Sequence, residues 1–311
     1  MLETPQSNKQ TCSICSTTRG LAEQLAEVAL AARLLENVTL FENEHGCIEI
    51  KTSTIGDWFR LASQLESVNI DAWKLEPSVD DAFYCDPAAE QINAHGKHYT
   101  DYATALTRFI FVCNGLEEAY RYIDHCYLSV ATELHMLKKD YKKTSSLRAV
   151  RVLDDLINRR GVSALPINFT HHCDNFVHLF DRYKIVHKAK VTGIGSGEEA
   201  LPSYALQLLR NLRNHVAHGT FPLGSPAEYG GYEDSEDLML LLRHACRIAG
   251  LYVQIILRWF SPGFMSEDYK NMSNANGEEF DHFLKNCTMD YILNLHQTCD
   301  FALHKGLYSR H

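Results

Sequence analysis

The 311-residue chain lacks several features that would place it in a class at once. No uninterrupted apolar run approaches the ~20 residues that a bilayer-crossing helix needs, so no membrane association is expected. The opening "MLETPQSNKQTCSICSTTRG" has no basic region followed by an apolar one and does not read as a secretory signal. The expected compartment is the cytoplasm. Ten cysteines are present, but they lie in apolar patterns such as "FIFVCNG" and "HACRIAG", which reads as reduced core thiols rather than a disulfide framework. Cys12 and Cys15 form a lone CxxC with no second pair at zinc-ribbon spacing, and read as part of an N-terminal tail. His171, His172, Cys173 and His178 read as a helix start with scattered polar side chains. Neither a metal nor a cofactor is expected.

The composition, 45% apolar and 22% charged, is that of an ordinary globular protein long enough to bury a sizeable core. The net charge of −9 argues against a polyanionic partner until its distribution is considered. Residues 1–98 hold 15 acidic and 7 basic residues, whereas residues 99–311 hold 24 and 23. The acidity belongs to the N-terminal third. Within the remainder, "KKDYKKTSSLRAVRVLDDLINRR" (138–160) offers a basic surface through Lys138, Lys139, Lys142, Lys143, Arg148, Arg151, Arg159 and Arg160. A solvated helix and loop would have the same composition.

Helical periodicity dominates. Helices are expected at 21–38, 54–68, 99–128, 129–141, 146–159, 170–186, 199–218, 234–260 and 277–296, with "CIEIKTS" as the best strand. The turn-rich segment 76–98 predicts a boundary between an acidic N-terminal α(+β) region, residues 1–98, and a helical domain, residues 99–311. The fold class expected is mainly α.

One further absence is informative. No Asp or Glu occurs from Leu201 to Ala227, a span containing "LLRNLRNHVAHGTFP". With ~100° per residue and Arg210 at zero, Leu208, Leu209, Leu212 and Val216 fall between roughly 160° and 260°. Arg213, Arg210, Asn214, His218, Asn211 and His215 occupy the other side, from about −60° to 140°. A merely solvated face usually mixes signs, because acidic and basic residues four apart stabilise one another. A bare cationic face repels itself unless something anionic visits it. Gly219 predicts a left-handed C-terminal cap that leaves His218 on the last turn, where the helix dipole favours a charged imidazole.

Arg213, Asn214 and His218 resemble the signature of the HEPN superfamily (higher eukaryote and prokaryote nucleotide-binding domain): an arginine, a polar residue after it, and a histidine after four intervening residues. "LRNHVAHG" is similar to the Apea-like HEPN group. "RFIFVCNGLEEAYRYI" (108–123), an apolar stretch running into a Leu-Glu pair, resembles the first long helix of that fold, and "DLMLLLRHACRIAGLYVQIILRWF" (237–260) resembles the helix that packs after the motif. The resemblance covers about residues 99–261 and implies a helical bundle. Arg210, Asn211 and His215 also fit an arginine, asparagine, three residues, histidine pattern, so two registers stand. The Ala-His-Gly ending favours Arg213 and His218, with Arg210, Asn211 and His215 in support.

The resemblance implies metal-independent RNA cleavage. Histidine suits proton transfer from the 2′-hydroxyl because it titrates near neutrality. Arginine suits the phosphoryl oxygens because its planar fork meets growing negative charge. Asn214 would orient either partner. Residues five apart on one helix are turned by ~140° and separated by ~7.5 Å along the axis, which predicts a homodimer with a composite site. The expected function is an endoribonuclease acting on tRNA or mRNA as a toxin or anti-phage abortive-infection effector, with a phage trigger or a neutralising protein as a further partner. Two other readings stand beside it: a non-catalytic HEPN sensor or scaffold that binds RNA or a nucleotide, and an all-helical interaction protein.

Overall fold

The computed structural model describes residues 12–35, 38–43, 46–75, 80, 84–134, 144–192, 200–223, 232–261 and 288–298. The chain is mainly helical. A single turn, α1 (Ser13–Ser16), precedes α2 (Leu21–Leu34), the antiparallel hairpin β1 (Val38–Asn43) and β2 (Gly46–Lys51), and α3 (Thr52–Gln64). The 49-residue α4 (Asp86–Leu134) follows, then α5 (Ser145–Arg160), α6 (Phe169–Val186), α7 (Leu201–Ala217) and α8 (Tyr232–Phe260).

The N-terminal helices are built into the same core as the rest. Leu25, Val28 and Ala32 of α2, Ile55 and Phe59 of α3, Phe109 and Val112 of α4, Phe176 and Phe180 of α6, Leu209 and Leu212 of α7, and Leu242 and Val253 of α8 are buried in one continuous cluster. Glycine permits a close crossing of α2 and α3. A Cβ added at Gly56 of α3 would sit 2.7 Å from the Ala29 carbonyl oxygen of α2. Three polar side chains that this core encloses, Gln24, Arg247 and Gln254, form one hydrogen-bonded chain. Gln24 Nε2 donates to Gln254 Oε1 (3.0 Å), Arg247 donates to Gln24 Oε1 (2.6 Å), and Gln254 Nε2 donates to the Ile292 carbonyl (2.7 Å). The segment Ser235–Phe260 of α8 is long and apolar enough to cross a membrane, but 78% of its most apolar window is buried among other helices.

Four sequence expectations change. The helix expected at 21–38 stops at Leu34, because β2 needs a partner for its backbone groups and Val38–Asn43 supplies it. The boundary expected at residue 98 falls inside α4, which begins at Asp86; Asp86 and Pro87 are a helix start, where proline's fixed φ is tolerated, rather than a turn. The helices expected at 99–128 and 129–141 are continuous as far as Leu134, and no Pro or Gly lies at their junction to part them. Of the helix expected at 277–296, the described part holds only a 3-10 turn, Tyr291–Asn294, followed by an isolated bridge between Gln297 and Thr18.

Candidate functional site

The opening turn of α7 contains Pro202, and the helix ends on the expected cap. His218 is the C-cap (φ −95°), and Gly219 adopts φ +66°. The Gly219 N–H donates to the Val216 carbonyl (3.1 Å) and the Thr220 N–H to the His215 carbonyl (2.8 Å), so the last carbonyls are satisfied and the chain turns away. It then docks: Phe221 packs beside Tyr102 and Tyr183, and the Tyr102 hydroxyl donates to the Pro222 carbonyl. His218 is left exposed at the helix end, and its ring has no hydrogen-bond partner among the described residues.

The cationic side of α7 divides into two strips. Asn211 is buried and is not available to a ligand. Its Oδ1 accepts from the Thr192 N–H (2.9 Å), and its Nδ2 donates to the Thr192 carbonyl (3.1 Å) and the Gln207 carbonyl (2.9 Å). His215 is tethered beside it. Its Nε2 donates to the Lys190 carbonyl (2.8 Å), which leaves Nδ1 to accept from the Tyr183 hydroxyl (3.0 Å). These two side chains fasten the segment after α6 onto α7. The expectation that Asn211 belongs to an open RNA-binding face is therefore corrected: an amide that meets both backbone groups of Thr192 is most stable turned inward.

The second strip carries Arg210, Arg213, Asn214 and His218. It is not bare, as the local sequence suggested. Glu117 of α4 lies across from it, with its carboxylate 3.6 Å from Arg213 Nη2, while Arg213 Nη1 donates to Asn214 Oδ1 (3.2 Å). The guanidinium is thus held from two sides, yet the Arg213 side chain keeps 42% of its exposure. Beneath it lies the Tyr120 hydroxyl, buried with no hydrogen-bond partner among the described residues. Burial holds its pKa well above the usual range and Glu117 and Cys113 push it further, while Arg210 and Arg213 pull it back. Glu117 and Tyr120 went unassigned in the sequence. The signal for Glu117 was the Leu-Glu pair at 116–117, quoted for its resemblance but given no role.

The basic surface expected at 138–160 is smaller than its composition suggests. Arg148 turns inward and makes a two-pronged ion pair with the buried Asp124. Arg159 pairs with Asp155 at 2.8 Å, and Arg160 lies over the Trp259 ring at 4.3 Å. Lys138, Lys139, Lys142 and Lys143 lie outside the described residues. A groove of about 720 Å³ between α4 and α8 is lined by Glu66, Asp101, Arg108, Glu236 and Arg243, and no motif residue borders it. At the far end of α6 from Tyr183, Cys12 and Cys15 meet His171.

Chemically, the α7 terminus offers a pre-oriented guanidinium and an exposed imidazole with no partner among the described residues. The guanidinium can meet a phosphoryl group with its remaining N–H donors. An imidazole can act as proton acceptor or donor. No protein-family model, no curated protein and no solved structure matches the chain.

Proposed function

We propose that the chain is a HEPN-type endoribonuclease that cleaves tRNA or mRNA to 2′,3′-cyclic phosphate and 5′-hydroxyl ends, acting as a toxin or abortive-infection effector. The observation that carries this reading is the contrast between the two histidines of α7: His215 has both ring nitrogens engaged, while the exposed His218 ring has no partner among the described residues and follows, on the same helix, an arginine held by Glu117 and Asn214. The register is therefore Arg213 with His218. Arg210 adds a second cation on the same strip.

In the reaction, a His218 imidazole takes the 2′-hydroxyl proton as the 2′-oxygen attacks the adjacent phosphorus. The phosphorus–O5′ bond breaks, and the leaving 5′-oxygen takes a proton from an imidazolium, which leaves the cyclic phosphate. Arg213 meets the charge that grows on the non-bridging oxygens, and its prior orientation means that little of its freedom is lost at that moment. Two copies of the motif, facing one another across a homodimer, bring the separated Arg213 and His218 onto one phosphate.

One observation favours the non-catalytic RNA-binding reading, namely that Glu117 neutralises part of the charge on Arg213. Cleavage separates the two. RNA incubated with the purified chain, with EDTA added only for the assay, should yield 5′-hydroxyl ends, and Arg213→Ala or His218→Ala should lower cleavage at least ~100-fold while leaving the helical signal intact. RNA binding without cleavage by the unaltered chain would transfer the assignment to the binding reading. Full cleavage by both variants would remove these residues from the reaction.

A further inference from the structure

The N-terminal CxxC read as a tail because no second ligand pair stands near it in sequence. The fold supplies one from elsewhere. Cys12 is the N-cap of α1 and Cys15 lies within it, and Cys12 Sγ lies 3.6 Å and Cys15 Sγ 3.7 Å from the Nε2 atom of His171, in the first turn of α6. The three ligand atoms all lie within 4.8 Å of one another. We propose that Cys12, Cys15 and His171 bind a zinc ion that fastens the N-terminal segment to α6, with the fourth position open to water.

Three arguments carry this. The first is distance. With zinc–sulfur and zinc–nitrogen bonds of about 2.3 and 2.1 Å and a tetrahedral angle, the sulfur–nitrogen edge is about 3.6 Å. Both observed separations match it, and they come from residues more than 150 positions apart. The second is a surplus of partners. A ring nitrogen has one in-plane lone pair or one proton, yet Cys12 Sγ, Cys15 Sγ and Asn175 Nδ2 (3.1 Å) all converge on His171 Nε2. A cation shared by the two thiolates and the imidazole resolves the conflict and leaves the Asn175 amide free to donate to a sulfur. The third is local support. The backbone N–H groups of Cys15 and Ile14 are directed at Cys12, and no acidic side chain is needed to complete a mixed sulfur and nitrogen site.

Position tells what the ion would do. The segment after α1 is already laced to the C-terminal part of the described chain: the Arg19 N–H donates to the His296 carbonyl (2.8 Å), and the Thr298 N–H donates to the Thr17 carbonyl (2.8 Å). A metal at His171 adds a tie to α6. From His171 to Tyr183, which touches His215, α6 rises about 18 Å. The ion is therefore remote from Arg213 and His218, so the inference does not depend on the ribonuclease reading.

The full-length chain, purified without chelator, should carry about one zinc per molecule by elemental analysis. Replacement by Co²⁺ should give the visible bands of a tetrahedral site together with thiolate-to-metal charge transfer. Cys15→Ser and His171→Gln should each reduce bound metal to less than about a tenth while a native helical signal persists. Should either variant fail to fold, alkylation of the unaltered chain decides: zinc should protect Cys12 and Cys15 from a thiol reagent, and Cys85, which is exposed elsewhere, should react equally with or without the metal. Absence of bound metal, retention of stoichiometric metal by both folded variants, equal alkylation with and without zinc, or a Cys12–Cys15 disulfide in chain prepared without oxidant would each overturn the proposal. Removing the metal should lower the unfolding temperature and leave RNA cleavage intact below it.

Discussion

His215 and His218 lie a turn apart on α7 and face opposite demands. Deleting the His215 ring removes two hydrogen bonds that hold the chain after α6, which should cost about 1–3 kcal/mol of stability but leave cleavage within about tenfold of the unaltered chain. Urea unfolding together with an RNA cleavage assay on His215→Ala checks both halves. A folded but inactive His215→Ala beside an active His218→Ala would transfer the site to Arg210 and His215. A third histidine responds to pH. His296 is buried, and its Nε2 donates to the Ile167 carbonyl (2.7 Å), while Gln254 Nε2 faces Nδ1 at 3.4 Å. Charging the ring is opposed first by burial and then by Arg247 and Arg19, with His172 packed against the same ring, so its pKa is lowered to about 4 although the Ile167 carbonyl draws it upward. The unfolded chain then binds the proton more tightly than the folded one. Stability is fully present above pH ~6.5 and is lost as the pH falls from there towards 4, by an amount on the order of 3 kcal/mol. Unfolding free energies measured at several pH values across that window should fall less steeply for His296→Gln. An unchanged slope would show that other groups carry the acid response.

Among the elements, α3 crosses α2 at van der Waals distance. An alanine in place of glycine inside a helix ordinarily stabilises it by about 1 kcal/mol. At Gly56 the sign should reverse, because the new methyl would lie 2.7 Å from a backbone oxygen of α2 and 3.0 Å from Arg33 Cγ. The side chain of Arg33 can give way, but the carbonyl cannot move without its helix, so a net loss of about 1–3 kcal/mol is expected for Gly56→Ala. A thermal melt showing stabilisation would mean that α2 and α3 do not cross this closely. Such contacts explain what the sequence made legible and what it did not. The helices at 146–159, 170–186, 199–218 and 234–260 were readable to within two residues because each writes its buried face as a 3.6-residue repeat. The cap at Gly219 was readable because only a residue without a side chain sits easily at positive φ. The end of α2 at Leu34, the burial of Asn211 and the approach of Glu117 to Arg213 were not readable. Each depends on a partner distant in sequence: β2, Thr192 on the segment after α6, or another helix altogether. The CxxC is the same case, since its third ligand is separated from it by most of the core.

At the scale of the molecule, the described helices of the acidic N-terminal third, α2 and α3, share one core with the elements that carry the α7 terminus. One copy presents its two reactive groups poorly for a single phosphate. Arg213 leans towards Glu117 on α4, whereas His218 sits past the helix end, about 7.5 Å farther along the axis and turned by roughly 140°. A two-fold partner facing this end would bring the Arg213 of one protomer near the His218 of the other, and the proposed reaction requires that arrangement. Arg213→Ala and His218→Ala chains, each inactive alone, should recover a measurable fraction of cleavage when unfolded together and refolded as heterodimers, since one intact arginine and one intact histidine remain in the merged pair. Sedimentation run beside the assay gives the mixture its meaning. Activity that travels with a dimer and is restored by mixing fits the composite site, and a dimer that stays inactive on mixing requires both copies of one residue. Cleavage that travels with a monomer removes the composite site altogether. The phosphate would then have to be held by Arg210, Asn214 and His218, which follow one another within about 80° along the same free strip of α7.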